Sequence, residues 1–165
     1  MAGESRRNRI LVNKIEEGTV VDHIPAWKSS LVLKVLRIED MAQKRPAVSV
    51  AVLQNVASKR LGRKDVIKID RWRIDEREAD ILHLIFPAAT INYIENWEVS
   101  KYTPRVPDGI EGRIRCPELM CISNSEREPL TSKFLTRKAE RVLQCYYCDT
   151  LVGFDKIPDF VRAQS

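Results

Sequence analysis

Four cysteines carry the most specific chemical pattern in this 165-residue chain. Cys116 and Cys121 enclose four residues, 23 residues follow, and Cys145 and Cys148 enclose two. Two short thiol pairs are what tetrahedral zinc requires, with Zn–S bonds of about 2.3 Å. Two disulfides or four buried, reduced thiols are the alternatives, and paired cysteines in a chain without a signal peptide favour zinc. We expect one structural zinc ion per chain, whose four thiolates leave no coordination position for catalysis.

A second candidate for chemistry is the Asp22–His23 pair in the run GTVVDHIPAW. A general base needs a nucleophile or a metal within hydrogen-bond reach, and adjacency alone supplies neither. The only other histidine is His83, and the chain contains no dinucleotide-binding, Walker, G-x-S-x-G or H-E-x-x-H motif. The pair can equally satisfy local backbone groups ahead of Pro25. A hydrolase built on it is therefore the weakest hypothesis, and we do not expect an enzyme.

Composition limits the remaining classes of function. The chain is 44% apolar, its longest nearly apolar stretch covers residues 47–53, and a membrane helix needs roughly 18 such residues. The start, MAGESRRNRI, is basic but has no apolar segment behind it, so we expect a cytoplasmic protein without a membrane span. The net charge of +5 lies upstream of residue 106, because residues 106–165 hold nine cations and nine anions. This balance disfavours nucleic acid as a partner, although a nucleic-acid-binding zinc ribbon stays the alternative function.

The periodicity of apolar residues indicates elements that position these groups. Strand-like runs alternate with two helical runs, the second capped by Asp75 with Glu78 three residues on. The first helical run, residues 25–40, places Trp27, Leu31, Val35 and Ile38 along one stripe. The strand-like runs are 9–15, 19–23, 46–53, 65–72 and 89–101, the last with a hairpin point at Asn96. This order predicts an α+β sandwich of the ferredoxin-like kind, with both helices on one sheet face.

A linker separates this part from the cysteines. Two prolines and two glycines interrupt the pattern in residues 101–112, which favours domains of residues 1–105 and 106–165. In the second domain, short strand-like runs beginning at IRC flank the cysteine pairs, as in a small all-β zinc ribbon. In the first domain, Lys64 and Lys68 are four residues apart and share one face of a strand. They can reach the same anion, or they can be ordinary solvated lysines.

Four sequence blocks together closely resemble the regulatory chain of aspartate carbamoyltransferase. They are GTVVDHIPA, GRKDVIKI, ATINYIENWEV and the pair C-P-x3-C and C-x-Y-C, in order from about Ile10 to Val152. The resemblance implies a ferredoxin-like allosteric domain that binds nucleotides, followed by a zinc domain that binds the catalytic chain. It also implies a homodimer of regulatory chains tying together catalytic trimers, inhibition by CTP with UTP, and activation by ATP. Such a chain catalyses nothing.

The resemblance also assigns residues to the nucleotide site. Asp22 should hold a ribose hydroxyl, while His23 and Lys101 face the phosphates. Lys68 should contact base or ribose, Asn92 should approach phosphate, and Lys64 should add positive charge. The base and ribose wall should comprise Val12, Asn13, Lys14 and Ile15, and backbone groups should come from Ile94, Trp97 and Val99. This sequence departs from the bacterial pattern at Asn13, Trp97 and Lys101, and its loop Pro117–Met120 lacks the asparagines that often touch the catalytic chain.

Overall fold

The structure, a computed structural model, describes residues 12–162. It contains nine strands and three α-helices within that range. The strands are β1 (Gly18–Pro25), β2 (Ser49–Ser58), β3 (Gly62–Asp70), β4 (Thr90–Glu95), β5 (Glu98–Tyr102), β6 (Gly109–Glu111), β7 (Lys133–Arg137), β8 (Val142–Cys145) and β9 (Leu151–Gly153). The helices are α1 (Ser29–Val35), α2 (Ile38–Lys44) and α3 (Glu76–Ile85), and short 3-10 helices cover Ile122–Asn124 and Phe154–Asp159.

The amino-terminal part is one antiparallel sheet in the order β2-β3-β1-β4-β5. Ile67, Val21 and Ile91 lie opposite one another on its three central strands and are almost fully buried. The buried side chains of all three helices join the same core, so the helices cover this face of the sheet. The predicted α+β architecture, with a small all-β domain after it, is confirmed.

Gly18 allows β1 to begin close to β3. Its φ of +141° is one that side-chain-bearing residues rarely adopt, and a Cβ there would overlap the carbonyl oxygen of Ile69. The strand later carries a bulge, because its register with β3 shifts between Val21 and Ile24. The bulge contains Asp22 and His23, and His23 has a left-handed φ of 55°. Two consecutive polar side chains therefore avoid the core, and Ile24 returns to it.

The predicted single helix over residues 25–40 is wrong in two respects. Arg37 adopts a left-handed φ of 52°, so α1 ends at Val35 and α2 begins at Ile38. Trp27 lies ahead of α1 with φ 66° and is 62% exposed, so it takes no part in the apolar stripe. The cause is a long-range contact, since the buried Asp65 carboxylate accepts hydrogen bonds from the backbone N–H of Trp27 at 3.0 Å and Ser29 at 2.9 Å.

Other local predictions have mixed outcomes. The N-cap at Asp75 and its capping box with Glu78 are confirmed. The hairpin point at Asn96 is confirmed too, because Asn96 and Trp97 have φ of 50° and 68° and form a two-residue turn between β4 and β5. The strand predicted over residues 9–15 is wrong for 12–15, which form no strand, and 9–11 lie outside the described residues.

The carboxy-terminal part is an antiparallel sheet in the order β6-β7-β8-β9. Its core is formed by Ile110, Phe134, Leu143, Val152 and Phe154. The run beginning at Ile114 was expected to be a strand, but it makes only an isolated bridge with Val161. Buried residues of both parts join one continuous core. No helix within residues 12–162 is long and apolar enough to span a membrane.

Candidate functional site

The four cysteines meet at one point of the carboxy-terminal part. Their sulfur atoms all lie within 4.8 Å of one another, with 3.5 Å between Cys116 and Cys148 and 3.8 Å between Cys121 and Cys145. A disulfide needs sulfurs about 2.05 Å apart, so these thiols are not bonded in pairs. Four sulfurs around tetrahedral zinc at about 2.3 Å would be separated by about 3.8 Å. The cluster therefore fits one structural zinc ion.

Local hydrogen bonds hold the two cysteine loops in place. In the first loop, the side-chain amide of Asn124 donates to the carbonyl oxygens of Cys116 at 2.9 Å and Glu118 at 2.8 Å. In the second, the backbone N–H of Cys145 donates to the carbonyl of Thr150 at 2.9 Å. Cys145 ends β8 opposite the fully buried Phe134. The second cysteine pair is thus positioned by the sheet, and the first pair by the loop that the side chain of Asn124 holds with two hydrogen bonds.

The pKa shifts of the cysteines differ within the cluster. Burial raises the pKa of Cys116 and Cys145. Burial acts the same way on Cys148, but hydrogen bonding to the hydroxyl and backbone of Thr150 outweighs it and lowers the pKa of Cys148 to about 7. A bound divalent cation stabilises thiolates directly, so it would deprotonate the buried members as well. When bound, zinc supplies cross-linking rather than catalysis, because four thiolates close its coordination sphere.

A second group of side chains lies on the open face of the first sheet, the face opposite the helices. Neighbouring strands place Ala51, Lys68, Val20, Asn92 and Lys101 directly opposite one another, and we call this set the open-face row. Residues directly opposite one another in a sheet point to the same face. Ile94 and Val99 form the neighbouring pair two residues along β4 and β5. Five of the predicted site residues therefore share one surface.

Three more predicted residues meet at the β1 bulge. Lys64 Nζ lies 2.8 Å from Oδ1 of Asp22, in an ion pair whose side chains are both mostly buried. His23 Nδ1 lies 3.2 Å from the hydroxyl of Thr90 and 3.6 Å from Oδ2 of Asp22. Thr90 pairs with Asp22 across β1 and β4. The bulge thus creates a polar corner at one end of the open face.

The segment 12–15 crosses the opposite end of that face. Lys68 Nζ donates to the carbonyl oxygens of Asn13 at 3.2 Å and Val12 at 3.4 Å. The backbone N–H of Trp97 donates to the carbonyl of Glu16 at 3.0 Å, which ties the β4–β5 turn to the residue that follows this segment. The segment 12–15, Lys68 and the β4–β5 turn border a cavity of about 530 Å³. Its lining includes Val12, Asn13, Lys14, Ile15, Lys68 and Trp97.

The cavity does not contain every predicted residue. Asp22, His23 and Lys64 lie at the polar corner instead, and Asn92 and Lys101 lie in the open-face row between the two ends. The cavity also includes Ser49, Ala51, Asp70 and Arg71, which the sequence did not single out. Only the register of β2 against β3 places Ala51 beside Lys68, and no local pattern encodes that register.

Comparison with known proteins gives one consistent result. The family model for the aspartate carbamoyltransferase regulatory chain, allosteric domain, matches residues 10–104. The model for the metal binding domain of the same chain matches residues 108–158. Among curated relatives named aspartate carbamoyltransferase regulatory chain, one from Hyperthermus butylicus is 41% identical over 91% of this chain and 92% of its own length.

Two further relatives with the same name agree. One from Saccharolobus solfataricus is 41% identical over 95% of this chain and 97% of its own length, and one from Archaeoglobus fulgidus is 42% identical over 84% and 90%. These matches describe a regulatory, non-catalytic chain and do not favour the nucleic-acid-binding alternative. The chain belongs to the family of aspartate carbamoyltransferase regulatory chains.

Proposed function

We propose that this chain senses nucleoside triphosphates on the open face and attaches to the catalytic chain of an aspartate carbamoyltransferase through its metal-binding domain. The observation that carries the proposal is the open-face row, which sets Lys68 and Lys101 on either side of Asn92, on a face that no helix within residues 12–162 covers. A triphosphate needs cations and hydrogen-bond donors along an extended path. CTP, UTP and ATP are the proposed effectors.

The two ends of the open face suit the two ends of a nucleotide. The cavity bordered by residues 12–15, Lys68 and Trp97 offers backbone carbonyls and an indole, which suit a base and a ribose. Asn92, Lys101 and His23 are the proposed phosphate contacts. Asp22 lies beside His23 at this phosphate end, so the ribose contact that the resemblance implies for it is not part of this arrangement. Ile94 and Val99 supply the backbone groups between them. In this arrangement none of these groups transfers a proton or forms a covalent bond.

Calorimetry on the full chain tests the nucleotide site. CTP, UTP and ATP are titrated into the wild-type chain, into His23→Gln and Lys101→Met, and into Lys156→Met as a control, because Lys156 is exposed in the other part of the molecule. We expect binding to the wild type and the control, and a loss of about tenfold or more in each site variant. Failure of all three nucleotides to bind the wild type would refute the site.

The proposed surface for the catalytic chain surrounds the first cysteine loop. Leu119 is 75% exposed and Met120 is 89% exposed, and Ile122 beside them is exposed too. Three apolar side chains beside a rigid metal centre form the kind of patch that partners bury. The resemblance implies a loop that often carries asparagines, and this loop has exposed apolar side chains instead, so the contact in this chain is proposed to be largely hydrophobic. Co-purification with the catalytic chain tests the association.

We also propose a homodimer and a division at residue 105, giving domains of residues 1–105 and 106–165. The division is supported by the family matches, which end at 104 and resume at 108.

For the dimer, no strand of the described residues covers the outer edge of β2, where Val52 is 38% exposed. An uncovered edge strand is a template for pairing with a second copy. Sedimentation should show a dimer that Val52→Lys weakens.

A further inference from the structure

A largely buried ion pair joins the two parts of the molecule. Nη2 of Arg113 lies 2.9 Å from Oε1 of Glu78 in α3 and 3.8 Å from Oδ2 of Asp75. The side chains of Glu78 and Arg113 are 8% and 23% exposed. Solvent and salt screen such a pair far less than a surface pair. The positions of Arg113 and Glu78 therefore depend on each other.

The carboxylate in this pair also closes the N-terminal cap of α3. Oε2 of Glu78 accepts a hydrogen bond from the backbone N–H of Asp75 at 3.0 Å, and Oδ1 of Asp75 accepts one from the N–H of Glu78 at 2.8 Å. The two carboxylate oxygens of Glu78 thus make different contacts. Oε2 accepts the hydrogen bond of the cap, and Oε1 forms the ion pair with Arg113. A shift of Arg113 would pull on the first turn of α3.

The cap is in turn attached to the strand that carries the polar corner. The hydroxyl of Thr19, in β1, donates to the carbonyl of Trp72 at 3.0 Å and accepts from the N–H of Ile74 at 3.1 Å. Thr19 is fully buried and immediately precedes Val20 of the open-face row. Trp72 and Ile74 lead directly into the Asp75 cap. Two hydrogen bonds of Thr19, the peptide bond from Ile74 to Asp75 and the capping box therefore connect β1 to Glu78.

Arg113 is equally well attached to the metal centre. It lies three residues before Cys116, and its carbonyl oxygen accepts a hydrogen bond from the N–H of Arg162 at 3.0 Å. The guanidinium of Arg162 donates to the carbonyl of Ser123 at 3.0 Å, just after Cys121. The backbone of Arg113 is thus fixed to both ends of the first cysteine loop.

We propose that the Glu78–Arg113 ion pair is the positioning element that couples the open face to the metal-binding domain. This inference rests on the proposed function, since it names how the nucleotide site acts on the partner. A nucleotide that displaces β1 would move the α3 cap through Thr19, and Glu78 would pass the displacement to Arg113. Coupling free energies of this kind correspond to about 5- to 150-fold changes in affinity. Neither Arg113 nor Glu78 lines the cavity or belongs to the cysteine cluster.

The first test uses the complex assembled with its catalytic chain. Glu78→Gln keeps the cap acceptor but removes the charge, and the double variant Glu78→Gln with Arg113→Met avoids a buried unpaired ion. We expect both to bind CTP and ATP within about twofold of wild type while the nucleotide-dependent change in activity falls at least about fivefold. Arg113→Lys should retain most of the response. The control is Arg115→Met, at an exposed arginine outside the pair.

A second measurement needs no nucleotide. Amide exchange is followed at Glu78 and Ala79, the first-turn groups bonded to Asp75. Chelating the metal in the wild-type chain should accelerate their exchange about tenfold, whereas the double variant should already exchange fast and respond little. The proposed coupling would be overturned if the amide-exchange rates at Glu78 and Ala79 of the wild type did not change on chelation. It would also be overturned if the double variant kept the full nucleotide-dependent change in activity. A wild-type chain that binds no nucleotide would refute the proposed function alone, and the exchange result would still decide the ion pair.

Discussion

Lys64 and Asp22 form an ion pair at the polar corner, with Lys64 Nζ 2.8 Å from Oδ1 and 3.0 Å from Oδ2 of the carboxylate. The two side chains come from β3 and β1 and meet on the open face, to which Asp22 points by ordinary strand alternation after the inward Val21. The family resemblance implies that Lys64 adds positive charge and that Asp22 holds a ribose hydroxyl. The positive charge of Lys64 and the negative charge of Asp22 offset each other. The net charge of the polar corner therefore depends on both residues.

The first prediction separates these two roles. Lys64→Met leaves the Asp22 carboxylate uncompensated, so it should weaken CTP binding about tenfold while affecting cytidine much less. Asp22→Asn frees the ammonium of Lys64 and should raise the ratio of CTP affinity to cytidine affinity. Calorimetry with both ligands measures the ratio. The same ratio in wild type and both variants would show that the pair does not meet the phosphates.

Lys68 is predicted to act on the ligand and on the segment that borders the cavity. Lys68→Met removes the hydrogen bonds to the carbonyls of Val12 and Asn13. We expect about tenfold weaker nucleotide binding and faster amide exchange in residues 12–15. Lys59→Met is the control, because Lys59 is an exposed lysine in the turn between β2 and β3. Equal effects of the two substitutions would contradict the prediction.

Asp65 is predicted to make stability depend on pH. Burial opposes its charge, but the backbone N–H groups of Asn55, Ser29 and Trp27 outweigh burial and lower the pKa of Asp65. A lowered pKa gives stability that is present above the unfolded-state value of about 3.9 and is lost as pH falls through the folded-state value.

The corresponding variant is Asp65→Asn, whose amide cannot accept all three bonds. It should lower the free energy of unfolding by about 3 kcal/mol at pH 7, and this difference should shrink below about pH 4. Denaturant titrations at pH 7 and at about pH 3.5 give the comparison. Asp159→Asn, at an exposed site, is the control. A loss of stability that is the same at both pH values would exclude the carboxylate as its cause.

Removal of the metal is predicted to unfold residues 106–165 and release the catalytic chain. The small sheet buries few residues, and a structural zinc site contributes on the order of 10 kcal/mol at neutral pH. Chelation or Cys145→Ser should therefore abolish the spectroscopic signal of folded structure in residues 106–165. Either change should also prevent association with the catalytic chain. Zinc should restore the chelated protein, whereas magnesium should not, because it prefers oxygen ligands. Assembly of the metal-free chain would refute the prediction.

The exposed patch at the first cysteine loop is predicted to affect assembly without affecting folding. Met120→Asp changes an 89% exposed side chain, so the free energy of unfolding should stay within about 0.5 kcal/mol of wild type. Association with the catalytic chain should weaken at least about tenfold. Leu151→Asp introduces the same charge on β9 of the same part and serves as the control. Equal association of both variants with the partner would count against this patch.

The sequence predicts a structural feature correctly where the interactions that form it join residues close together in the chain. The capping box of Asp75 and Glu78, the turn at Asn96 and the cysteine spacing each involve residues a few positions apart. The turn at Trp27 was misread because the carboxylate that shapes it, Asp65, is 38 residues away. The open-face row and the Glu78–Arg113 pair depend on strand register and domain packing, so the sequence offered no pattern for either.

The bulge in β1 has a consequence for how this protein can vary. It inserts one residue between Val21 and Ile24, and both of these side chains stay in the core. Shortening the chain by His23 would restore strict in–out alternation, with Val21 and Ile24 still inward and Asp22 outward. A natural or designed length change at this single point would thus yield a chain that still folds but lacks one side chain of the proposed nucleotide site.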